Sequence, residues 1–214
     1  MISYIYTLLP SMVDGLAMTL KVFFLTIILS IPLGVLVSIG RLSNIKILSM
    51  ITEFYIWIMR GTPLMLQIVF IFFGLPIVDI TFDRFTAVLI AFVLNYGAYF
   101  GEIFRGGIES IDRGQYEGAK VLGLTPYKTF RRIILPQMFK RVIPSIANEV
   151  ITLIKDTSLV YIVGIGELLR AGKIASNRDV SLVPLALVGV IYLLLTAVFT
   201  SIFNKIEKAY SYYE

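Results

Sequence analysis

Residues 180–204 carry no charged side chain, and the run exceeds the roughly 20 apolar residues that a helix rising about 1.5 Å per residue needs to cross a hydrocarbon core of about 30 Å. Residues 22–40 and 61–78 are also free of charge. Apolar runs recur from end to end, with no stretch between them long enough to fold alone. The chain is 57% hydrophobic and 15% charged, against roughly 45–50% and 25% for a soluble domain, so the excess must face something other than water. In hydrocarbon each backbone polar group needs a partner within the protein, which favours helices. The expected fold class is therefore all-α, a polytopic membrane protein built as a single domain over residues 1–214.

Scanning for helices of that length predicts five transmembrane spans, at about 13–40, 47–75, 85–111, 142–169 and 180–204. Pro32 is expected to kink the first. The second carries Glu53 and Arg60 and then meets Gly61-Thr62-Pro63, a break tolerable at membrane depth only where protein or a wet cavity satisfies the freed backbone. In the third, Glu102, Arg105 and Glu109 mark the emergence into water. The fourth is the least apolar, with Glu149, Lys155 and Asp156 inside it. Trp57, Tyr4, Tyr6, Tyr210, Tyr212 and Tyr213 read as interfacial anchors, and Lys21 as a snorkelling cation. The first residues lack a basic stretch and a small-residue cleavage site, so the first span is expected to be retained.

Orientation follows from Lys and Arg in the short loops, since positive loops stay cytoplasmic. Arg41 and Lys46 lie between spans one and two. Arg113, Lys120, Lys128, Arg131, Arg132, Lys140 and Arg141 lie between three and four, and Lys205 and Lys208 follow five. The opposite side holds Arg84, Arg170, Lys173 and Arg178. The N-terminus is expected outside and the C-terminus in the cytoplasm.

Several chemistries are excluded. The chain has no Cys and no His, which removes disulfides, thiolate and imidazole metal sites, and nucleophile–histidine pairs. No G-x-x-x-x-G-K-[ST] run occurs, so nothing here cradles ATP phosphates. No catalytic residue, metal or cofactor is expected in this chain. The net charge of +5 is spread between apolar runs rather than along a stripe suited to nucleic acid.

The loop 112–136 is too polar to span and too patterned to be featureless. Asp112 suits the N-cap of a first helix with Gln115 as reciprocal partner, and Gly123 suits its left-handed end. Thr125 and Pro126 suit the cap and first position of a second helix, running to about residue 135. Tyr116, Ala119, Val121, Leu122 and Leu124 give the first helix an apolar side. Such a knob fits a groove on a partner; the competing reading lays it flat among lipid headgroups.

Glu117, Ala119 and Gly123, followed after nine intervening residues by Ile133, Leu135 and Pro136, resemble the cytoplasmic signature of permeases of ATP-binding-cassette importers. Gly118 departs from the Ala usual there. Arg60-Gly61-Thr62-Pro63-Leu64, GAYFGEIFRGGIESI over 97–111, RRIILPQ over 131–137 and LIKDTSLV over 153–160 resemble the polar amino-acid uptake branch. The resemblance implies a type I transmembrane domain of the bacterial plasma (inner) membrane. It implies a coupling helix between spans three and four, in which Glu117, Gly118, Ala119, Gly123 and Leu124 meet a cleft in a separate ATPase that holds ATP and magnesium. An extracytoplasmic amino-acid-binding receptor is a further implied partner. Five helices make a thin wall for a pathway, so a second permease chain, identical or homologous, is expected beside the first.

Ionisable groups at membrane depth usually pair or line a path. Glu149, Thr152 and Asp156 fall at i, i+3 and i+7, one helix face, with Asn148 and Lys155 beside it. Two carboxylates there suit the cation of a basic amino acid such as arginine, and Glu53 and Asn95 are candidates to complete the pocket. In the competing reading Asp156 pairs with Lys155 or Arg60, and Glu149 satisfies backbone. The function expected is a permease subunit of an ATP-driven importer for polar, basic amino acids. A channel and a gradient-driven secondary transporter are the alternatives, told apart by flux without ATP and by an inverted repeat, of which the sequence shows no sign.

Overall fold

The computed structural model describes residues 2–211, all helix, turn or irregular segment with no strand among them; Tyr212 and Tyr213 lie outside the described residues. Helix α1 (Ile2–Arg41) runs through Pro10 and Pro32 without interruption and begins well before residue 13. Its buried positions Leu8, Met12, Gly15, Thr19, Val22, Thr26, Ser30, Gly34 and Val37 return every three to four residues, the period of one helix face. That face meets α4 (Arg84–Glu109), which lies at the centre of the molecule. A β-carbon on Gly34 would come 2.6 Å from the β-carbon of Phe100 and 3.0 Å from the Gly101 nitrogen. Only glycine permits that approach, and in lipid such close packing is what holds helices together.

The second expected span is broken. Helix α2 (Lys46–Gly61) ends at an extended Thr62, and the helical segment Leu64–Val78, which opens with α3 (Leu64–Val69), leaves at an angle of 104°. A π turn (Phe70–Gly74) and a 3-10 turn (Leu75–Val78) continue α3. Asp83 caps α4 by accepting from the backbone of Phe85 at 3.0 Å and Thr86 at 3.1 Å. Phe23 of α1, Ile68 of α3, Phe92, Tyr96 and Phe100 of α4, and Leu153 and Ile154 of the helix described next build the main core.

The loop after α4 forms α5 (Arg113–Val121) and α6 (Pro126–Thr129), and α6 passes through a π turn (Phe130–Ile134) directly into α7 (Leu135–Asp156). Leu135 donates to Phe130, an i to i+5 bond, one residue before Pro136. The same arrangement, Leu75 to Phe70, precedes Pro76. Widening the helix accommodates a residue that has no N–H to give. The fourth expected span, 142–169, is therefore not one helix. It starts earlier, tightens into a 3-10 turn (Thr157–Val163) after Asp156, and stops at Gly164, whose φ of +81° lies in the left-handed region. Leu168 opens α8 (Leu168–Asp179), followed by α9 (Val183–Ser211). Leu8, Met12, Leu168, Ala175 and Val188 pack α1, α8 and α9 together.

Three described helices are long and apolar enough to cross a membrane, Ser3–Arg41, Arg84–Glu109 and Val183–Tyr210, with a fourth if the bent pair is one span. Exposed Leu193, Leu194, Val198 and Ile202 on α9, and Ile47, Met50, Ile51 and Phe54 on α2, present apolar surface outward. Outward apolar faces are what a membrane-embedded chain requires.

Candidate functional site

Pro63 has no N–H for the carbonyl of Met59, its helical partner four residues back. Asn95 of α4 supplies one at 2.8 Å and Gln67 of α3 another at 3.0 Å, while the Gln67 carbonyl accepts from Asn95 at 3.1 Å. Thr62 donates to Ile58 at 2.8 Å. The break between α2 and α3 is thus held by side chains, and it leaves Arg60 exposed at the end of α2. The Arg60 guanidinium lies over the ring of Tyr99, 5.1 Å from its centroid, a cation–π arrangement.

One turn earlier on α4, buried Tyr96 donates its hydroxyl to Asp156 at 2.8 Å. Asp156 ends α7, and Glu149 stands two turns before it on the same face, within electrostatic reach of Arg60 and Asp156. Both carboxylates are half-buried. Along the axis they are about 10 Å apart. Thr152 lies between them and is exposed. The ends of α2 and α7 and the middle of α4 therefore bring together two carboxylates, one guanidinium and two tyrosines. Such a set offers both charges of an amino acid a partner and keeps one carboxylate for a cationic side chain.

Two expected members stand elsewhere. Glu53 is largely exposed and pairs with Arg41 at 3.2 Å, because both lie toward the α1–α2 corner. Asn95 spends its amide hydrogens on the helix break, as described above. Asp156 takes neither Lys155 nor Arg60 as a salt-bridge partner and accepts instead from Tyr96. Tyr96 and Tyr99 were missed, although their i, i+3 spacing put both polar tips on one side of α4.

Glu167 was missed as well. It is fully buried, caps α8 by accepting from the backbone of Leu169 and Arg170, each at 2.6 Å, and also accepts from the Tyr192 hydroxyl at 3.3 Å. Thr19 of α1 accepts from Leu168 at 3.3 Å. This knot ties α1, α8 and α9. Its one sequence signal is an acid directly after Gly164-Ile165-Gly166 and before Leu168-Leu169.

The second site is α5. Asp112 caps it at 2.7 Å from the Gly114 nitrogen, but Gln115 does not reach back; it accepts from Gln137 of α7 at 3.1 Å. The C-terminal end closes at Gly123, with φ of +70°, by bonds from Leu124 to Ala119 and from Gly123 to Lys120, each 3.0 Å. The expected single apolar side is divided. Ala119 is 2% exposed and faces the protein, whereas Val121 at 88% and Leu122 at 77% face outward beside Glu117 and Gly118. Leu124 is half-buried. Partial desolvation raises the pKa of the Tyr116 hydroxyl above its ordinary value, although the residue stays exposed. Beside α5, Ile111, Ile134, Met138 and Val142 pack the end of α4 against α7, and Arg141 donates to the carbonyl of Ser110.

Residues 30–212 match the family model for binding-protein-dependent transport system inner membrane components. The arginine transport system permease protein ArtQ of Bacillus subtilis (strain 168) is 38% identical over 94% of this chain and 92% of that protein. The glutamine transport system permease protein GlnP of Escherichia coli (strain K12) is 35% identical over 96% and 95%. Among solved structures, an amino acid ABC transporter with histidines superposes with a TM-score of 0.90 at 31% identity over 96% of this chain and 97% of that one. The MetNI methionine ABC transporter in an inward-facing conformation gives 0.72 at 20% identity over 97% and 98%, a likeness of fold.

Proposed function

We propose, from the premise that this chain belongs to the binding-protein-dependent transport system inner membrane components and is the permease subunit of an ATP-driven importer, that its solute is a polar amino acid with a basic side chain. As such a permease it works with a separate ATPase and a binding protein. The observation that carries the specificity is the pair Glu149 and Asp156 on one face of α7, opposite Arg60 and Tyr96. In this reading Arg60 takes the solute's carboxylate, Asp156 its ammonium and Glu149 the side-chain cation, with Thr152 as a neutral hydrogen-bonding group. Glutamine carriage by a similar protein makes neutral polar solutes the nearest competitors.

The α5 peg is the contact with the ATPase, through Glu117, Gly118 and the residues up to Leu124, and ATP with magnesium sits on that partner. Two permease chains, identical or homologous, enclose the path. The chain crosses a bacterial plasma membrane five times when the bent α2–α3 pair and α7 each count as one crossing, with the N-terminus outside. The Lys and Arg bias of the loops supports that orientation.

The deciding experiment is substrate-stimulated ATP hydrolysis in proteoliposomes carrying the chain, its ATPase and its receptor. Glu149→Gln is expected to cut stimulation by arginine and lysine about tenfold or more while sparing glutamine, since hydrogen bonds to charged groups are worth about 1.5–3 kcal/mol. Equal stimulation by arginine in the variant would defeat the assignment.

A further inference from the structure

The end of the molecule remote from α5 carries a second charged arrangement that the transport site above does not use. A β-carbon built on Gly164 would lie 3.2 Å from a guanidinium nitrogen of Arg170 and 3.2 Å from one of Arg84. Twice that distance bounds the separation of the two nitrogens, so two like charges converge over one glycine. Neither arginine forms a salt bridge among the described residues. The acids adjacent in sequence are engaged elsewhere. Asp83 accepts from Phe85 and Thr86, and Glu167, although within electrostatic reach of Arg170, is buried against the backbone of α8 and Tyr192. Two further cations stand on neighbouring residues: Lys21 over the ring of Phe85, at 4.6 Å, and Lys173 over that of Tyr161, at 4.4 Å.

We propose that Arg84 and Arg170 form a carboxylate-binding site at the outer mouth of the permease, with Gly164 as its floor. One carboxylate oxygen about 2.7–2.9 Å from each guanidinium nitrogen spans the gap. It relieves the repulsion between the arginines, which Glu167 offsets only on the Arg170 side. Gly164 serves twice, because its left-handed φ turns the chain and any side chain there would occupy the space between the guanidinium groups. Arg84 is exposed and Arg170 half-buried, so the site opens to solvent. The carboxylate has two possible sources: the α-carboxylate of the arriving amino acid, or an acidic side chain of the soluble receptor. For a basic solute the pair repels the side chain and attracts the other end, so the solute enters carboxylate first. The inference rests on the amino-acid importer reading.

The test uses the chain with its ATPase in nanodiscs. Binding of L-arginine and L-glutamine is compared with that of their α-carboxamides, and affinity for the solute-free cognate receptor is measured separately, in wild type, R84Q, R170Q and the double variant. If the source is the solute, the double variant loses at least about tenfold for the free amino acids and nothing for the carboxamides. If the source is the receptor, receptor affinity falls by that factor and loses its salt dependence while amino-acid binding holds. A double variant that retains both affinities within about twofold overturns the proposal. R84E, on the exposed member, repeats the test if the double variant does not assemble with the ATPase. A wild type that binds glutamine and not arginine sinks only the basic-solute reading, because the acid-against-amide comparison still runs on glutamine.

Discussion

Asn95 shows how one buried amide decides the shape of a helix pair. With Asn95 replaced by Leu, the Met59 carbonyl keeps only Gln67, and the Gln67 carbonyl loses its donor. Leaving buried polar groups short of partners costs about 1–3 kcal/mol. Thermal unfolding of the Asn95→Leu chain in detergent should show Tm lowered by about 2–4 °C per kcal/mol lost for a chain of this size; an unchanged Tm would mean the break holds itself. Gly118 makes the opposite case. A β-carbon there meets nothing within 4 Å, so Gly118→Ala should stabilise α5 by up to about 1 kcal/mol, and assembly with the ATPase should survive, since the signature this loop resembles carries Ala. Co-purification and Tm check both halves. Sequence reasoning placed Asn95 in the solute pocket because a buried amide on a span reads alike whether it holds a ligand or a carbonyl. Pro63 was visible as a breaker, but the amide that answers the Met59 carbonyl in place of its missing N–H lies 36 residues from Met59 in the chain, and only tertiary placement reveals it.

At the scale of elements, the most legible pieces were those whose ends are written locally. Asp112, Gly123, Thr125 and Pro126 all take the cap positions their chemistry suits. The region after Asp156 was not legible, because hydropathy averages over a window and passes through Gly164 and Gly166 as if they were helical. The real signal was polar: Glu167 caps α8 from within the core. Two caps of the same kind can therefore be compared. Glu167 is fully buried, whereas Asp83 at the start of α4 is exposed. Cap removal costs about 0.5–2 kcal/mol, and at Glu167 it also strands the first N–H groups of α8 in the core and removes one partner of the Tyr192 hydroxyl. Glu167→Ala should therefore destabilise the chain more than Asp83→Ala, and should speed amide hydrogen exchange over 168–172 specifically. Equal losses of stability in the two variants would show that the buried knot contributes nothing beyond an ordinary cap.

For the whole molecule, the question is how an event at the peg reaches the charged cluster. Helix α5 follows the end of α4 and is tied to the beginning of α7 by the Gln115–Gln137 bond, beside the cluster of Ile111, Ile134, Met138 and Val142 that packs α4 against α7. Those same helices carry Tyr96 and Tyr99 toward Asp156 and Glu149. A displacement of α5 acts on both walls of the cluster through the turns at its two ends, 110–112 and the left-handed Gly123, and beyond the second turn α6 runs through its π turn into α7 without a break. The surface available to receive that displacement is the outward face with Glu117, Gly118, Val121 and Leu122. Because Val121 and Leu122 are already in solvent in the free chain, replacing both with Asp should leave Tm and arginine binding by the isolated permease within error of wild type. It should also abolish ATPase co-purification and ATP-driven uptake, since two desolvated, unpaired carboxylates would oppose docking. Ala119→Asp, buried at 2% exposure, should instead lower Tm as well as uptake. Uptake that persists in the Val121→Asp, Leu122→Asp chain would place the ATPase contact away from α5, and the transmission route through α4 and α7 would go with it.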